Sequence, residues 1–179
     1  MLAKLKSRAK SVLERNRRRQ NAKHLEQTER HFTRAELAKD LRNLGVDIGD
    51  TLFVHSSLKS LGYIEGGATA VIGALQDAVG PSGTLMLPTY YMPGGTILGT
   101  CQTRDYVFDA KRFGTNMGRL PEAFLAGDGI SRSIHPTHSV SAWGRHAEFL
   151  TEAHHRAPSV FGLGSPWQRV LEIEAAKVL

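Results

Sequence analysis

Two short runs in this chain set imidazoles and hydroxyls close together. His55-Ser56-Ser57 follows Thr51-Leu52-Phe53-Val54, an apolar and partly β-branched run that reads as a buried strand. Ser favours helix N-caps, so the strand is expected to feed a helical turn through Leu58-Lys59-Ser60-Leu61, with Gly62 behind it. Such a turn would aim backbone N–H groups and the positive end of a helix dipole at one point, beside two hydroxyls and an imidazole. A phosphate, a pantetheine amide or a thioester carbonyl would suit that place. An ordinary capped turn with a satisfied histidine would use the same residues.

The second run, Arg132-Ser133-Ile134-His135-Pro136-Thr137-His138-Ser139, leads into the alternating strand Val140-Ser141-Ala142-Trp143. Its histidines could supply a general base, a hydrogen-bond donor to a carbonyl, or part of a metal site. No carboxylate or third His stands at ligand spacing nearby, so no metal is expected. His154-His155 read instead as imidazoles favouring the negative end of the helix before them. Residues 91–118 form a long Gly-rich, polar excursion in which Tyr91, Asp105, Tyr106, Phe108 and Asp109 could build a polar pocket wall. A mobile surface loop is the alternative.

The elements that must hold these runs are well marked. Thr33 and Glu36 make a T-x-x-E capping box, Leu37, Leu41 and Leu44 an apolar stripe, and Gly45 a helix stop. Ala68 to Val79 carries Val71, Ile72, Leu75 and Val79 at helical spacing and ends at Gly80. Thr84-Leu85-Met86-Leu87 reads as a second buried strand, closed by Pro88-Thr89-Tyr90. Pro121 is expected to start a helix, and Arg145 to Ala153 to form another with Ala147, Phe149 and Leu150 facing inward. Ser165-Pro166-Trp167-Gln168 reads as a second capping box, with Pro in the first turn, heading a helix that carries Val170, Leu171 and Ile173. Lys177-Val178-Leu179 looks like the beginning of another strand. Helices alternating with short apolar strands predict an α/β domain, layered α/β/α, around a largely parallel or mixed sheet. Ligands collect at the carboxyl ends of such strands, where His55-Ser56-Ser57 and Pro88-Thr89-Tyr90 both fall.

The 179 residues suit one domain, and 41% hydrophobic content suits a globular one. The net charge of +6 is unevenly spread, since residues 1–34 hold eleven Lys/Arg against three Asp/Glu. The chain thus divides into a basic amphipathic helical extension over 1–32 and a nearly neutral α/β body over 33–179. Residues 1–19 could lie on an anionic membrane surface or an acidic partner, and they also resemble a transit peptide. No nucleic acid partner is expected, because aromatic interleaving and any binding motif are missing. Cys101 is the sole cysteine, which fits a reducing, cytoplasmic setting. No apolar run approaches the length of a membrane span, and no secretory signal is evident.

Taken together, the segments GVDIGDTLFVHSSLKSLGYIEGGATAVIGALQDAVGPSGTLMLPTY, FDAKRFGTNMGRLPEAF, RSIHPTHSVSAWGRHAEFLT and FGLGSPWQRVLEIEAAKVL resemble the aminoglycoside 3-N-acetyltransferase family. The resemblance runs from about Thr33 to the C-terminus. It implies transfer of acetyl from acetyl-CoA to an amino group of an aminocyclitol antibiotic or related amino sugar, an antibiotic-resistance activity. It also implies an α/β fold unlike that of the GCN5-related acetyltransferases, whose CoA-loop pattern is missing. By motif, His55, Ser56, Ser57 and Leu58 would line the pantetheine and thioester end of CoA. Ser139 would join them, and His135 would be a catalytic group of the same cleft. Direct transfer needs a base for the amine and donors for the thioester oxyanion, which amides after His55 could provide. No acyl-enzyme is required.

Members of the family continue past the strand at Lys177, into a segment with a further His and a nearby carboxylate, the leading base there. The chain resembles the N-terminal two-thirds of such an enzyme. An incomplete C-terminus is expected to leave a bare sheet edge and apolar patch at 176–179, inviting self-association. Two other functions stay open. One is an inactive CoA-binding remnant or partner module. The other is an N-acetyltransferase for a surface-polysaccharide amino sugar. Asp105, Asp109 and Glu122 could meet a polycationic acceptor.

Overall fold

A computed structural model describes residues 31–55 and 57–179. The basic helix expected over residues 1–32 thus lies outside the described residues, save for His31 and Phe32. Those two form β1 (His31–Phe32), which pairs in parallel with β3 (Tyr63–Ile64). Next comes α1 (Arg34–Asn43), opened by the expected capping box: Thr33 Oγ1 accepts from Glu36 N, and the Glu36 carboxylate accepts from Thr33 N at 2.8 Å.

The main sheet has five strands in the order β5-β6-β4-β2-β7. Within it β2 (Thr51–Phe53) is flanked in parallel by β4 (Thr84–Pro88), the central strand, and β7 (Ala176–Val178). On the other side of β4, β6 (Val140–Gly144) runs antiparallel, and β5 (Ser131–Arg132) pairs antiparallel with β6. The sheet is therefore mixed rather than largely parallel. Among the described residues, β7 has no strand on its outer side, and Val178 is 69% exposed.

Side chains alternate across β2 and β4, and both faces are covered, which gives the α/β/α layers. Leu52, Val54, Leu85 and Leu87 pack with Val71, Leu75 and Val79 of α2 (Gly67–Val79) and with Leu120 and Phe124 of α4 (Arg119–Leu125). Phe53, Met86, Val140 and Ala142 pack on the opposite face. They meet Ala147 and Leu150 of α5 (Ala147–Thr151) and Val170 of α6 (Pro166–Leu171). Each such side chain, once fully buried, stabilises the fold by about 1.5–3 kcal/mol.

Three expected inward residues face solvent: Leu44, Phe149 and Leu171, the first at 78% and the last at 84% exposure. Leu44 is the C-cap of α1, beyond the last full turn, where the stripe no longer faces the core. Phe149 lies under the Arg169 guanidinium, 5.2 Å from its ring centre. The helix expected from Arg145 starts only at Ala147, because Arg145 N donates to Gly83 O and His146 N to Thr84 Oγ1. The chains cross closely there. A Cβ on Gly144, whose φ is +96°, would lie 2.1 Å from Gly83 O.

Candidate active site

The sheet ladder continues past Phe53, since Val54 N donates to Met86 O at 2.8 Å and His55 N to Leu179 O at 2.7 Å. His55 therefore sits at the carboxyl end of β2 with its ring edge-on to Phe53 at 4.5 Å. The chain then enters a single 3-10 turn, Leu58–Leu61, rather than an α-helix. One such turn carries little macrodipole, so the dipole expected there is weak, although the amides that open it have no partner within it. Leu58 and Leu61 anchor the turn on the core. Ser57 is exposed, and its hydroxyl does not cap the turn. Ser56 lies outside the described residues.

Trp167 joins this strand end to the histidine loop. It stands at the start of α6, where Ser165 Oγ accepts from Gln168 N and Pro166 fills the first helical position. The Gln168 side chain accepts from Gly164 N instead of completing the box on Ser165. From that fixed turn the indole meets Phe53 at 6.4 Å, His138 at 6.3 Å, Tyr90 at 6.4 Å and His154 at 5.6 Å, measured between ring centres. Burial pushes the Tyr90 hydroxyl above its ordinary pKa. The expected site residues His55, His135 and His138 thus share one aromatic cluster.

His135 is half-buried, and its Nδ1 accepts from Thr137 N at 3.2 Å and His138 N at 3.0 Å. With both amides donating to Nδ1, the neutral ring carries its proton on Nε2. In this geometry His135 is a hydrogen-bond donor and has no free basic nitrogen. Burial and the neighbouring His138 lower its pKa. His138 is buried, lies 2.8 Å from Thr137 Oγ1 through Nδ1, and is likewise shifted down by burial.

Ser139, expected beside the cofactor, is fully buried. Its hydroxyl donates to Thr89 O at 2.9 Å and accepts from Arg132 Nη2 at 3.3 Å, which braces the loop. Among the described residues Arg132 has no carboxylate partner, and it spreads over backbone carbonyls instead: Thr89 at 2.6 Å, Gly114 at 2.8 Å, Ala110 at 3.3 Å, and Phe113. The 91–118 excursion is consequently packed around a cation. It contains a short helix, α3 (Ile97–Cys101), and a stack of Tyr91 on Phe113 at 4.6 Å. Tyr106 ties it to the histidine loop by donating to Pro136 O at 3.0 Å, and Asp109 caps its own turn.

A residue that sequence reasoning placed elsewhere completes the cluster. His154 is fully buried in a 3-10 turn (His154–Arg156) that follows α5. Its ring stacks on His135 at 4.5 Å and 26°, and its Nδ1 lies 3.0 Å from Ser133 Oγ. Burial, then the nearby His135, push its pKa down to about 4, the Val160 backbone acting in the opposite direction. A third imidazole does reach the loop, therefore, from a distant part of the chain. Among the described residues no group of three His, Cys, Asp or Glu is arranged to hold a metal ion. A small cavity of about 50 Å³ opens beside His55, lined by Val54, Leu87, Pro88, Met117, Leu120 and Pro121.

Comparison with known proteins agrees with this architecture. The family profile of aminoglycoside 3-N-acetyltransferase matches residues 53–179. Aminoglycoside N(3)-acetyltransferase III of Acinetobacter baumannii is 38% identical over 157 residues, covering 82% of this chain and 54% of the relative. Aminoglycoside acetyltransferase AAC(3)-Xa superposes with a TM-score of 0.74 at 31% identity, over 90% of this chain and 61% of that one. AAC-IIIb, in a binary complex with CoASH, gives 0.68 at 30% identity, over 80% and 57%. The chain spans about half the length of the curated relatives it matches. By sequence and by fold, this chain belongs to the aminoglycoside 3-N-acetyltransferase family.

Proposed function

We propose that this chain binds acetyl-CoA where β2 ends and takes part in passing its acetyl group to an amine of an aminoglycoside or related amino sugar. The observation that carries this reading is the convergence of His55, Trp167, Tyr90, His138 and His135 at one end of the β2–β4 pair. The CoASH complex of AAC-IIIb supports the same cofactor class.

The transfer asks a neutral amine to attack the thioester carbon. A C–N bond forms, the C–S bond breaks, CoA leaves as thiolate, and the amine's surplus proton must be taken up. Donors are needed where the carbonyl oxygen gains charge. The opening amides of the 3-10 turn and the Nε2–H of His135 are the donors proposed here. Nδ1 of His135 already accepts two amides, so a different group takes the amine's proton. His55, Ser56, Ser57 and Leu58 serve the pantetheine end, and Ser139 acts by bracing the loop.

Calorimetry with CoA, followed by acetyl-CoA turnover with a panel of aminoglycosides, tests the proposal. Saturable CoA binding and acetylated product are expected. No heat at millimolar CoA would overturn the cofactor assignment. Binding without turnover would favour a non-catalytic CoA-binding module. The open side of β7 is a surface on which a second copy could add a strand, and sedimentation velocity would report it.

A further inference from the structure

The functional proposal leaves His154 without a task, yet its placement is specific. The imidazole is fully buried, and among the described residues its Nε2 has no partner in hydrogen-bonding geometry, although the Val160 backbone lies near enough to favour the protonated ring. Keeping a polar nitrogen dry and unbonded is unfavourable, and an apolar ring in the same space would avoid that penalty. Besides that backbone contact, the imidazole adds what such a ring lacks, a bond through Nδ1 to Ser133 Oγ.

Ser133 is itself immobilised. Its N donates to Val140 O at 2.9 Å, and its Oγ accepts from Val140 N at 2.9 Å, so its hydroxyl is fixed to the first residue of β6. A bond from that hydroxyl sets the rotation of the His154 ring. The ring lies nearly flat on His135, 4.5 Å away at 26°, while Trp167 closes the other approach edge-on at 5.6 Å. His135 is held from two directions as a result. Two amides engage its Nδ1, and a neutral platform of fixed orientation lies against its face.

We infer that His154 is a positioning residue whose flat ring, seated beside Ser133, holds the ring plane of His135 and thereby its single Nε2–H tautomer. The ring itself, and not the Ser133 bond, is what His135 needs. The functional meaning of this inference rests on the acyl-transfer reading, since it concerns the donor proposed for the oxyanion.

Long-range ¹H–¹⁵N correlation NMR of the histidine side chains, on the full chain without CoA at pH 7.5, tests it. In the parent chain His135 is expected to show one tautomer, protonated at Nε2. His154→Phe keeps a flat ring under His135, and His154→Gln keeps a polar reach to Ser133 without the ring. The Phe variant is expected to preserve the single tautomer. The Gln variant is expected to mix both forms, with retained fold checked by circular dichroism. If acetyl transfer is observed, the Gln variant should lower kcat about tenfold and leave KM for acetyl-CoA unchanged.

An Nδ1–H or mixed His135 in the parent chain would overturn the inference even if no variant folds. So would a Gln variant whose His135 is unchanged, or Phe and Gln variants that lose the tautomer equally. Because no CoA is present, a failure of turnover leaves the NMR outcome readable by itself.

Discussion

Lys177 Nζ of β7 lies 2.5 Å from Asp50 Oδ2 at the head of β2, and the same carboxylate oxygen accepts from Asp47 N at 2.7 Å. The ammonium also reaches Gly45 O at 2.6 Å, so one buried carboxylate links the last strand to the turn after α1. Asp50→Ala should lower stability by about 1–3 kcal/mol, the usual effect of orphaning a buried hydrogen-bonding partner. Amide exchange at Thr51 and Leu179, which bond to Ala175 and Phe53 across β2–β7, should quicken ahead of global unfolding. Unchanged urea midpoint and exchange would show that β7 docks without this link.

Acid should destabilise the fold through His154. Its pKa is about 4 in the folded chain and ordinary, near 6.5, in the unfolded one. The unfolded chain therefore binds the extra proton first. Stability from this group is present above pH 6.5 and declines as pH falls through the interval to 4, by about 3 kcal/mol in all. His135 and His138, also shifted down by burial, act in the same direction. Thermal melts of the parent chain should lose stability over that interval, and His154→Phe should flatten the decline. A parent chain as stable at pH 4.5 as at pH 7.5 would contradict the assignment.

Arg132 should be intolerant even of lysine. Its guanidinium spreads donors over carbonyls of Thr89, Ala110, Phe113 and Gly114 and lies 5.0 Å from the Phe108 ring centre. A single ammonium cannot match that fork. Arg132→Lys should cost about 2–4 kcal/mol and expose the 91–118 segment to limited proteolysis. A segment as resistant as the parent's would show that the aromatic stack alone holds it.

CoA binding should be visible through one indole. Trp167 touches the ring cluster, whereas Trp143 pairs with Leu85 toward the far end of β4. In a Trp143→Phe background, saturating CoA should change Trp167 emission, and Trp167→Phe should abolish the change. Binding by calorimetry with silent fluorescence would move the cofactor away from this cluster.

Local signals carried much of the fold. The Thr33–Glu36 box, the stop at Gly80 and the apolar runs of β2 and β4 all depend on neighbours a few residues apart, and each is found where expected. The candidate site was legible only in part. His55 and the 132–139 loop announce themselves by dense polar chemistry beside strands. His154 does not, because the contacts that bury it come from Ser133 and His135, about twenty residues earlier, and from Trp167. A histidine beside another histidine near a helix end looks like a solvated pair until the sheet folds back on it. The same limit hid Trp167, whose local role in the Ser165 turn gives no hint of the rings it meets. Ser139 was placed by family resemblance alone, and the partners of its hydroxyl, Thr89 and Arg132, lie too far along the chain to be read from its neighbours.

Pro88 of β4 faces Val140 of β6, and Thr89 N donates to Ser139 O at 2.9 Å. Inside that connection Asn116 N donates to Tyr90 O at 2.9 Å, so residues 91–115 leave and return at one place, ahead of α4, β5 and the histidine loop. Lengthening such a closed excursion has a shallow entropic penalty, about 0.6 kcal/mol per doubling. That stretch can therefore change in length while β4, β6 and the rings at their ends stay on the same frame.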